Sequence, residues 1–438
     1  MKLNPAHGVV AVKVAMLLVS LALISEVAQA ISIQEFGRFI LYFSLVNIFT
    51  VFLQMGLNVY LVKSLTKYKL QGNHFEANRL ATQCLAVCMS VTLAISIALL
   101  LFLQVCQLFD LESFAWGMPS SAEAILLACW LFFSVASNLI GEVLKGNKRI
   151  LSSTIVMTSL PFLIALMGLT FLPNVSRLVH ILGIYAAAYA ISFLLSVFLG
   201  SKFLIKKHLW PVDLRLITVG RSFLLMSLAL IVVDQIDIWL ISIFGSSAEV
   251  AIYGAINRLA RLIFFSLVII NSFSGPLIAE RLHSNELIAV QRYASGGHWV
   301  AISAGIFVYL MYLGFSDFIL RTFFGEEFLA GGQVLAFVGA YQLINCATGL
   351  AIIILSMSDN QKWILRSAML VVLAKILCCL ILSVIGFDLL RYSLFIFLLS
   401  SAFNLCLVFF VWRCIRVSIL PRYRNVHAFK NVVLQLRG

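Results

Sequence analysis

Long apolar segments alternate with short polar loops along the whole chain. Each segment holds roughly 20 apolar residues, the length that an α-helix needs to cross the hydrocarbon core of a bilayer. Because backbone groups in lipid must be hydrogen-bonded within the segment, runs of this length predict helices and not barrel strands. The pattern predicts twelve membrane spans, at residues 9–31, 37–60, 81–105, 120–141, 150–172, 179–201, 219–244, 250–275, 297–316, 331–356, 365–387 and 392–413.

The pattern occurs twice, with a shift of 214 residues along the chain. Glu-Phe-Gly at 35–37, after the first span, corresponds to Glu-Val-Ala at 249–251, after the seventh, since 249 − 35 is 214. Residue identity between the halves is low, so the repeat lies in hydropathy and loop position. It predicts two six-helix bundles, at residues 1–208 and 209–438. Duplicated membrane bundles are typical of transporters, because two similar halves can rock about a site between them.

Composition supports a membrane protein. The chain is 62% hydrophobic and 11% charged, with a mean hydropathy of +1.05, whereas soluble domains contain about 25% charged residues. Most of the 31 Lys and Arg residues fall in alternate loops. Under the positive-inside rule these loops and both chain termini are cytoplasmic, which requires an even number of spans. Since the net charge of +13 is spread over short loops, no nucleic-acid partner is expected.

The first 30 residues also have some features of a secretory signal. Lys2 and Lys13 precede an apolar run, and Ala-Gln-Ala at 28–30 has the form of a cleavage site. The alternative is a retained first helix. We favour retention, because the shift of 214 places this segment on the seventh span and cleavage would leave the first half one helix short.

The sequence contains no recognisable catalytic or metal-binding motif. All nine cysteines fall within or at the ends of spans and form no ligand cluster with histidine, so we expect free thiols and no metal. No loop is long enough to fold as a catalytic domain. There is no phosphate-binding loop, no glycine-rich nucleotide fingerprint and no HExxH motif. These observations predict a protein that is not an enzyme and that has no cofactor.

Charged residues inside the predicted spans carry the main functional signal, because charge in a membrane is costly and usually faces a water-filled cavity or a partner. Asp234 and Asp237 share a face of the seventh span, and Arg258 and Arg261 share a face of the eighth. An interhelical salt bridge, such as Asp237 with either arginine, is the structural alternative. Lys13 and Glu26 in the first span could instead extend to the two membrane surfaces.

The functional interpretation is a polar cavity with surplus positive charge. That balance suits an anionic substrate, and arginine binds phosphate with two parallel hydrogen bonds. The repeat does not account for these charges, since the shift places Asp237 on Leu23 and Arg258 on Ser44. The predicted substrate-binding and translocation residues are Lys13, Asp234, Asp237, Arg258, Arg261 and Lys375.

Several motifs resemble those of the polysaccharide flippases, and their order matches over the whole chain. That family belongs to the multidrug/oligosaccharidyl-lipid/polysaccharide exporter superfamily, with the multidrug-and-toxin-extrusion exporters and the lipid II flippases. Lipid II flippases usually carry two further helices, for which this chain has no room. The motifs are Gln-Glu-Phe-Gly-Arg-Phe at 34–39, Ser-Leu-Val-Asn at 44–47, Asp237, Ser-Ser-Ala-Glu-Val-Ala-Ile-Tyr at 246–253, Arg-Leu-Ala at 258–260 and Phe-Gly-Glu-Glu-Phe at 324–328.

The resemblance implies an all-α integral membrane protein in which two six-helix bundles form a V-shaped central cavity. It implies transport of undecaprenyl-pyrophosphate-linked oligosaccharides, such as O-antigen units, across the bacterial inner membrane. Lipid-linked substrate, bilayer lipid and a complex with a polysaccharide polymerase are the implied partners. Arg258 and Arg261 would bind pyrophosphate, and Asp234 or Asp237 would release them by proton or ion exchange.

Two alternative functions and the role of two aromatic residues remain open from the sequence. One is a cation-coupled exporter of small amphipathic molecules, which shares much of the second-half motif but would need a compact acidic pocket. Another is a membrane-bound polymerase or ligase, which would need a large external loop. Trp239 and Tyr253 could stack on sugar faces, or else they belong to the interface belt or the packed core.

Overall fold

The computed structural model describes residues 5–108, 119–172, 175, 177–204, 215–358 and 360–427. Over these residues the chain is helical and contains no strand, which confirms the predicted all-α fold. The α-helices are α1 Pro5–Ala30, α2 Ile33–Leu53, α3 Leu57–Leu70, α4 His74–Leu108, α5 Ser121–Gly146, α6 Ile150–Thr154, α7 Leu160–Phe171, α8 Leu178–Gly200, α9 Arg215–Phe244, α10 Ser247–Ile263, α11 Phe265–His283, α12 Leu287–Phe324, α13 Gly332–Thr348, α14 Leu350–Met357, α15 Gln361–Ile385 and α16 Leu389–Ile415.

The protein is a multi-pass membrane protein. Within the described residues, eleven helical segments are long and apolar enough to cross a membrane, and a bent pair makes a twelfth. The pair is α10 with the first part of α11, which are bent by 57°. The predicted eighth span at 250–275 is therefore not one straight helix. The break lies at Phe264, whose φ of −94° and ψ of 7° leave the helical region.

The helix bounds confirm the internal repeat. Helix α1 ends at Ala30 and α9 ends at Phe244, a difference of 214 residues. Helix α7 ends at Phe171 and α15 at Ile385, which is the same difference. The repeated hydropathy pattern thus reflects a repeated order of helices.

The chain divides into two compact units, Met1–Ile231 and Val232–Gly438. The division falls within α9, so this one helix contributes to both units. The boundary predicted between residues 208 and 209 lies outside the described residues, and the predicted halves remain a prediction.

Helix α5 is the centre of the first unit, where it packs against α2, α3, α4 and α8. It begins with a capping box, because the Ser120 side chain accepts a hydrogen bond from the Glu123 backbone and Glu123 accepts one from the Ser120 backbone. Trp130 on α5 is 1% exposed. Its ring lies 4.9 Å from that of Tyr185 on α8 and 5.8 Å from that of Phe43 on α2. These aromatic contacts form the core of the unit.

A close backbone contact joins the start of α9 to the break between α2 and α3. Gly56 at this break has a φ of +70°, a conformation that glycine adopts without strain. A Cβ atom on Gly56 would overlap the backbone of Gly220 on α9, and a Cβ on Gly220 would overlap the carbonyl of Met55. Both glycines are therefore needed for this approach.

In the second unit, α13 packs against α10, α12 and α16. His298 on α12 is 0% exposed and connects two other segments. Its Nε2 accepts a hydrogen bond from the Leu350 N–H at 3.0 Å, and its Nδ1 lies 2.7 Å from the Ile419 carbonyl oxygen. Because Nε2 is the acceptor, Nδ1 carries the proton and donates. This neutral histidine attaches the segment after α16 to the unit.

Candidate functional site

Asp237 lies where four helices of the second unit meet. The Lys375 ammonium on α15 is 2.8 Å from its Oδ2. The Tyr392 hydroxyl on α16 donates to Oδ1 at 2.8 Å, and the Tyr253 hydroxyl on α10 donates to Oδ2 at 3.3 Å. The Lys375 and Asp237 side chains are 2% and 6% exposed. The carboxylate is thus buried but fully supplied with donors.

Asp237 forms an interhelical salt bridge, as in the structural alternative, but with Lys375, which the sequence analysis did not name as its partner. Asp237 is joined to Lys375 on α15, whereas Arg261 on α10 is joined to Asp234. Residues three apart on α9 project in slightly different directions, and here Asp237 points into the unit while Asp234 is exposed. Helix α15, which supplies Lys375, is distant in sequence from α9, so spacing alone could not identify the partner of Asp237.

The repeat shows that packing does not require charge at this place. At the shift of 214, the counterparts of Asp237, Tyr253, Lys375 and Tyr392 are four apolar residues, and all are buried in the first unit. Replacing a buried ion pair with apolar side chains is often neutral or stabilising, so the second unit has a polar cluster where its counterpart needs none. The counterparts are Leu23, Phe39, Pro161 and Leu178.

Asp234 and Arg261 form a second ion pair of a different kind. Arg261 Nη2 on α10 lies 2.9 Å from Asp234 Oδ2 on α9, and the side chains are 32% and 48% exposed. Gln235 also donates a hydrogen bond to this carboxylate. A guanidinium has five N–H donors in a fixed fork, so Arg261 can bind another anion while it retains or exchanges its carboxylate partner.

The amphipathic pattern of α10 places the two arginines away from the core. Tyr253, Ile256 and Leu259 lie on its buried face, whereas Arg258 and Arg261 lie one turn apart and are partly exposed. Arg258 and Arg261 thus lie on one partly exposed face of α10, and their role as substrate-binding residues stays a prediction. For Tyr253, the core-packing alternative holds, because the residue is only 3% exposed. Sugar stacking by Trp239 stays a prediction.

Lys13, the last member of the predicted set, lies in the first unit with Glu26, the other charged residue predicted within the first span. Lys13 on α1 is half-buried, and Glu26, more than three turns later on the same helix, is exposed. Since they belong to a different compact unit from Asp234 and Arg261, their membership of the same cavity stays a prediction. In the described part of the chain, no group of three His, Cys, Asp or Glu residues could hold a metal ion.

Comparison with known proteins shows the family. A family model described as "Polysaccharide biosynthesis protein" matches residues 10–281, more than half of the chain. The chain belongs to this family. The matched region includes Asp234, Asp237, Arg258 and Arg261, whereas Lys375 lies outside it.

Several solved structures share the fold of this chain over almost the whole of its length. An inward-facing multidrug resistance MATE family transporter of the MOP superfamily is 14% identical, with a TM-score of 0.68, and the match covers 96% of this chain and 99% of that one. Lipid II flippase MurJ in an inward closed conformation is 12% identical, with a TM-score of 0.59 and coverages of 98% and 91%. The Vibrio cholerae MATE transporter VcmN in its bent form is 13% identical, with a TM-score of 0.53 and coverages of 99% and 98%. No curated protein matches the chain.

The first unit contains a charged network that the sequence analysis missed. Arg38 Nη2 on α2 lies 2.8 Å from Glu123 Oε2 on α5. The same nitrogen donates to the Tyr42 hydroxyl at 3.0 Å, and that hydroxyl donates to Glu123 Oε2 at 3.3 Å. The Glu123 side chain is 6% exposed. One feature of the sequence could have indicated this network. Glu123 is a charged residue in the first turn of a predicted span, within the capping motif Ser-Ser-Ala-Glu at 120–123.

Glu123→Ala is expected to destabilise the protein more than Glu249→Ala. Both residues complete a capping box, but only Glu123 also accepts hydrogen bonds from Arg38 and Tyr42. Loss of the cap costs about 1 kcal/mol, and loss of a partner for the partly buried arginine adds about 1–3 kcal/mol. Thermal unfolding of the purified variants, followed by size-exclusion chromatography, measures the difference. Equal midpoints for the two variants would show that the Arg38 network does not stabilise the unit.

Proposed function

We propose that this protein moves undecaprenyl-pyrophosphate-linked oligosaccharide units across the bacterial inner membrane for the synthesis of a surface polysaccharide. The family concerns polysaccharide biosynthesis, and the fold is one that transporters use. In this proposal both termini are cytoplasmic, as the distribution of Lys and Arg predicts. A complex with a polysaccharide polymerase remains a prediction.

The partly exposed Arg261–Asp234 pair is the observation that carries the proposal. Unaided transfer of a sugar–pyrophosphate head group through hydrocarbon is costly, because its polar and charged groups lose their water. Arginine replaces part of that water with two parallel charge-assisted hydrogen bonds to phosphate. Arg261 has an accessible guanidinium inside a membrane span, and Arg258 lies one turn away on the same helix. The lipid tail can remain in the bilayer during this transfer.

Release of the substrate follows from the same pair. While the pyrophosphate is bound, Arg261 exchanges Asp234 for phosphate oxygens, and the exposed carboxylate is then able to take up a proton or another cation. When Asp234 is ionised again, it competes for Arg261 and favours release. The buried Asp237–Lys375 pair is not accessible in this way. The Lys375 and Asp237 side chains are 2% and 6% exposed, so an entering head group would first have to separate the packed helices.

The test is the leaflet in which the completed lipid-linked unit is found. In a strain that lacks this protein and any redundant flippase, the units are expected to accumulate on the cytoplasmic side while surface polysaccharide is lost. A membrane-impermeant reagent that oxidises the glycan measures the externally accessible fraction. Purified protein in liposomes should move a pyrophosphate-linked glycolipid without ATP.

Two alternative functions predict different results in the same strain. Loss of an exporter of small amphipathic molecules would change drug tolerance and leave surface polysaccharide unaltered. Loss of a polymerase or ligase would leave single units in the outer leaflet. Lipid-linked units found outside at normal levels would overturn the proposal.

A further inference from the structure

Two basic residues of the first unit lie over one aromatic ring, and a third, Lys148, is close enough to act electrostatically on one of them. Lys69 lies near the end of α3, and Lys148 and Arg149 form the turn before α6. The Lys69 Nζ is 5.2 Å from the centroid of the Phe203 ring, and the Arg149 Cζ is 5.4 Å from it. Lys69 also donates a hydrogen bond to the Asn147 side chain. Elements that are distant in sequence therefore hold two of these cations beside a single ring.

This cluster carries positive charge, and in the described part of the chain no carboxylate forms an ion pair with Lys69, Lys148 or Arg149. Partial burial lowers the pKa of Lys69, and repulsion from Lys148 and Arg149 lowers it further. The turn that presents the cations is itself unusual, since Lys148 has a φ of +62°. Binding of an anion would relieve the repulsion.

Exposed apolar side chains adjoin the cluster. Ile150 and Leu151, which directly follow Arg149, are 52% and 40% exposed. On α8, which leads to Phe203, Leu194 and Phe198 are 66% and 75% exposed. In a membrane protein such side chains face the lipid, so the cations lie where an apolar surface meets the polar head-group layer.

The second unit has the same combination at the repeated position. Lys362 is the counterpart of Lys148, since 362 − 148 is 214. The Lys362 Nζ and the Arg366 Cζ lie 5.9 and 5.1 Å from the centroid of the Trp363 ring. Leu370, one turn after Arg366, is 68% exposed. Two cations on an aromatic ring beside a lipid-facing surface thus occur in both units, although the residues that form them differ.

We propose that Lys69, Lys148 and Arg149, together with Phe203, bind the phosphate head group of an anionic phospholipid in the cytoplasmic leaflet. The charge attracts the phosphate, and the exposed side chains of α6 and α8 contact the acyl chains. The choice of leaflet rests on the loop charges that place this turn in the cytoplasm. The site differs from that of the proposed transport of a lipid-linked sugar, because its residues belong to the first unit, whereas Arg261 and Asp234 belong to the second.

Retention of phosphatidylglycerol by the purified full-length protein tests the site. Native mass spectrometry counts the lipid bound after mixing with phosphatidylglycerol or phosphatidylcholine. The triple variant K69Q/K148Q/R149Q is expected to bind phosphatidylglycerol more than tenfold more weakly, because each cation near the surface contributes about fivefold. The matched control K63Q/K67Q/R79Q removes the same charge from exposed positions on α3 and α4, and is expected to change binding less than twofold. Phosphatidylcholine should bind weakly to all forms.

The result can contradict the proposal in two ways. Equal weakening of phosphatidylglycerol binding in the triple variant and its control would show that binding depends only on the net charge of the protein. Displacement of phosphatidylglycerol by inorganic pyrophosphate at an equal concentration would show a site for free phosphate, since the acyl contacts would then contribute nothing. If the triple variant does not fold, Arg149→Gln replaces it: this side chain is exposed, and the expected loss is about fivefold.

Discussion

Lys375→Met is expected to lower the stability of the folded protein strongly and to reduce its yield from membranes. Without the ammonium, the Asp237 carboxylate remains buried with only two tyrosine hydroxyls as donors. Removal of one partner of a buried ion pair costs about 3–5 kcal/mol, because the other charge is left uncompensated. Thermal unfolding of the detergent-purified protein, with size-exclusion chromatography as the readout, measures the loss.

Two further variants distinguish a buried pair from a general effect of lost charge. Lys362→Met removes an exposed lysine from the same helix and is expected to leave the unfolding midpoint nearly unchanged. The double change Asp237→Leu with Lys375→Met recreates the apolar character of the first unit and should recover most of the lost stability. An unaltered thermal unfolding midpoint in Lys375→Met would contradict a stabilising buried ion pair between Lys375 and Asp237. Transport by the double variant then shows whether these two residues are needed for translocation.

Arg261→Ala is expected to reduce transport of a pyrophosphate-linked glycolipid in liposomes by about a hundredfold, with normal protein yield. Each hydrogen bond from a charged donor is worth about 1.5–3 kcal/mol, and two parallel bonds to phosphate are lost. Arg261→Lys should recover only part of the rate, because lysine has the charge but not the planar fork. The partial exposure of this side chain makes the fold tolerant of the change. The rate of glycolipid movement is measured directly as the fraction that becomes accessible outside.

Arg281→Ala is the matched control for that experiment. Arg281, like Arg261, pairs with a carboxylate, that of Glu286, and both side chains are well exposed. It lies near the end of α11 and is not among the predicted substrate-binding residues, so transport should proceed at the normal rate. Wild-type transport by Arg261→Ala, at normal yield, would exclude Arg261 as a pyrophosphate ligand.

The order of the membrane spans could be predicted from the sequence because lipid imposes a simple local rule. A span needs a long apolar run, whichever partner it later packs against. The predicted span at 150–172 corresponds to Ile150–Phe171, and the span at 179–201 to Leu178–Gly200. The repeat was visible for the same reason, since a shift in hydropathy survives even where residue identity does not.

Breaks within the helices were less accessible to sequence analysis. Neither Gly56 nor Phe264 lies next to a proline that would mark the end of a helix. Gly56 takes its left-handed conformation where α2 and α3 meet the backbone of Gly220, a residue more than 160 positions away in the chain. Such a break depends on packing between distant segments, which a local pattern does not contain.

The sequence by itself determined a membrane protein of repeated helices and showed which charges lie within its spans. Tertiary structure alone decided the partners of those charges. Lys375 forms a buried ion pair with Asp237, and Arg261 pairs with the exposed Asp234. Arg38 pairs with Glu123. A charge in a span must find a partner or water to offset its loss of hydration, and this requirement is readable from sequence. Which partner it finds depends on which helix faces meet, and that is set by the packing of the whole unit.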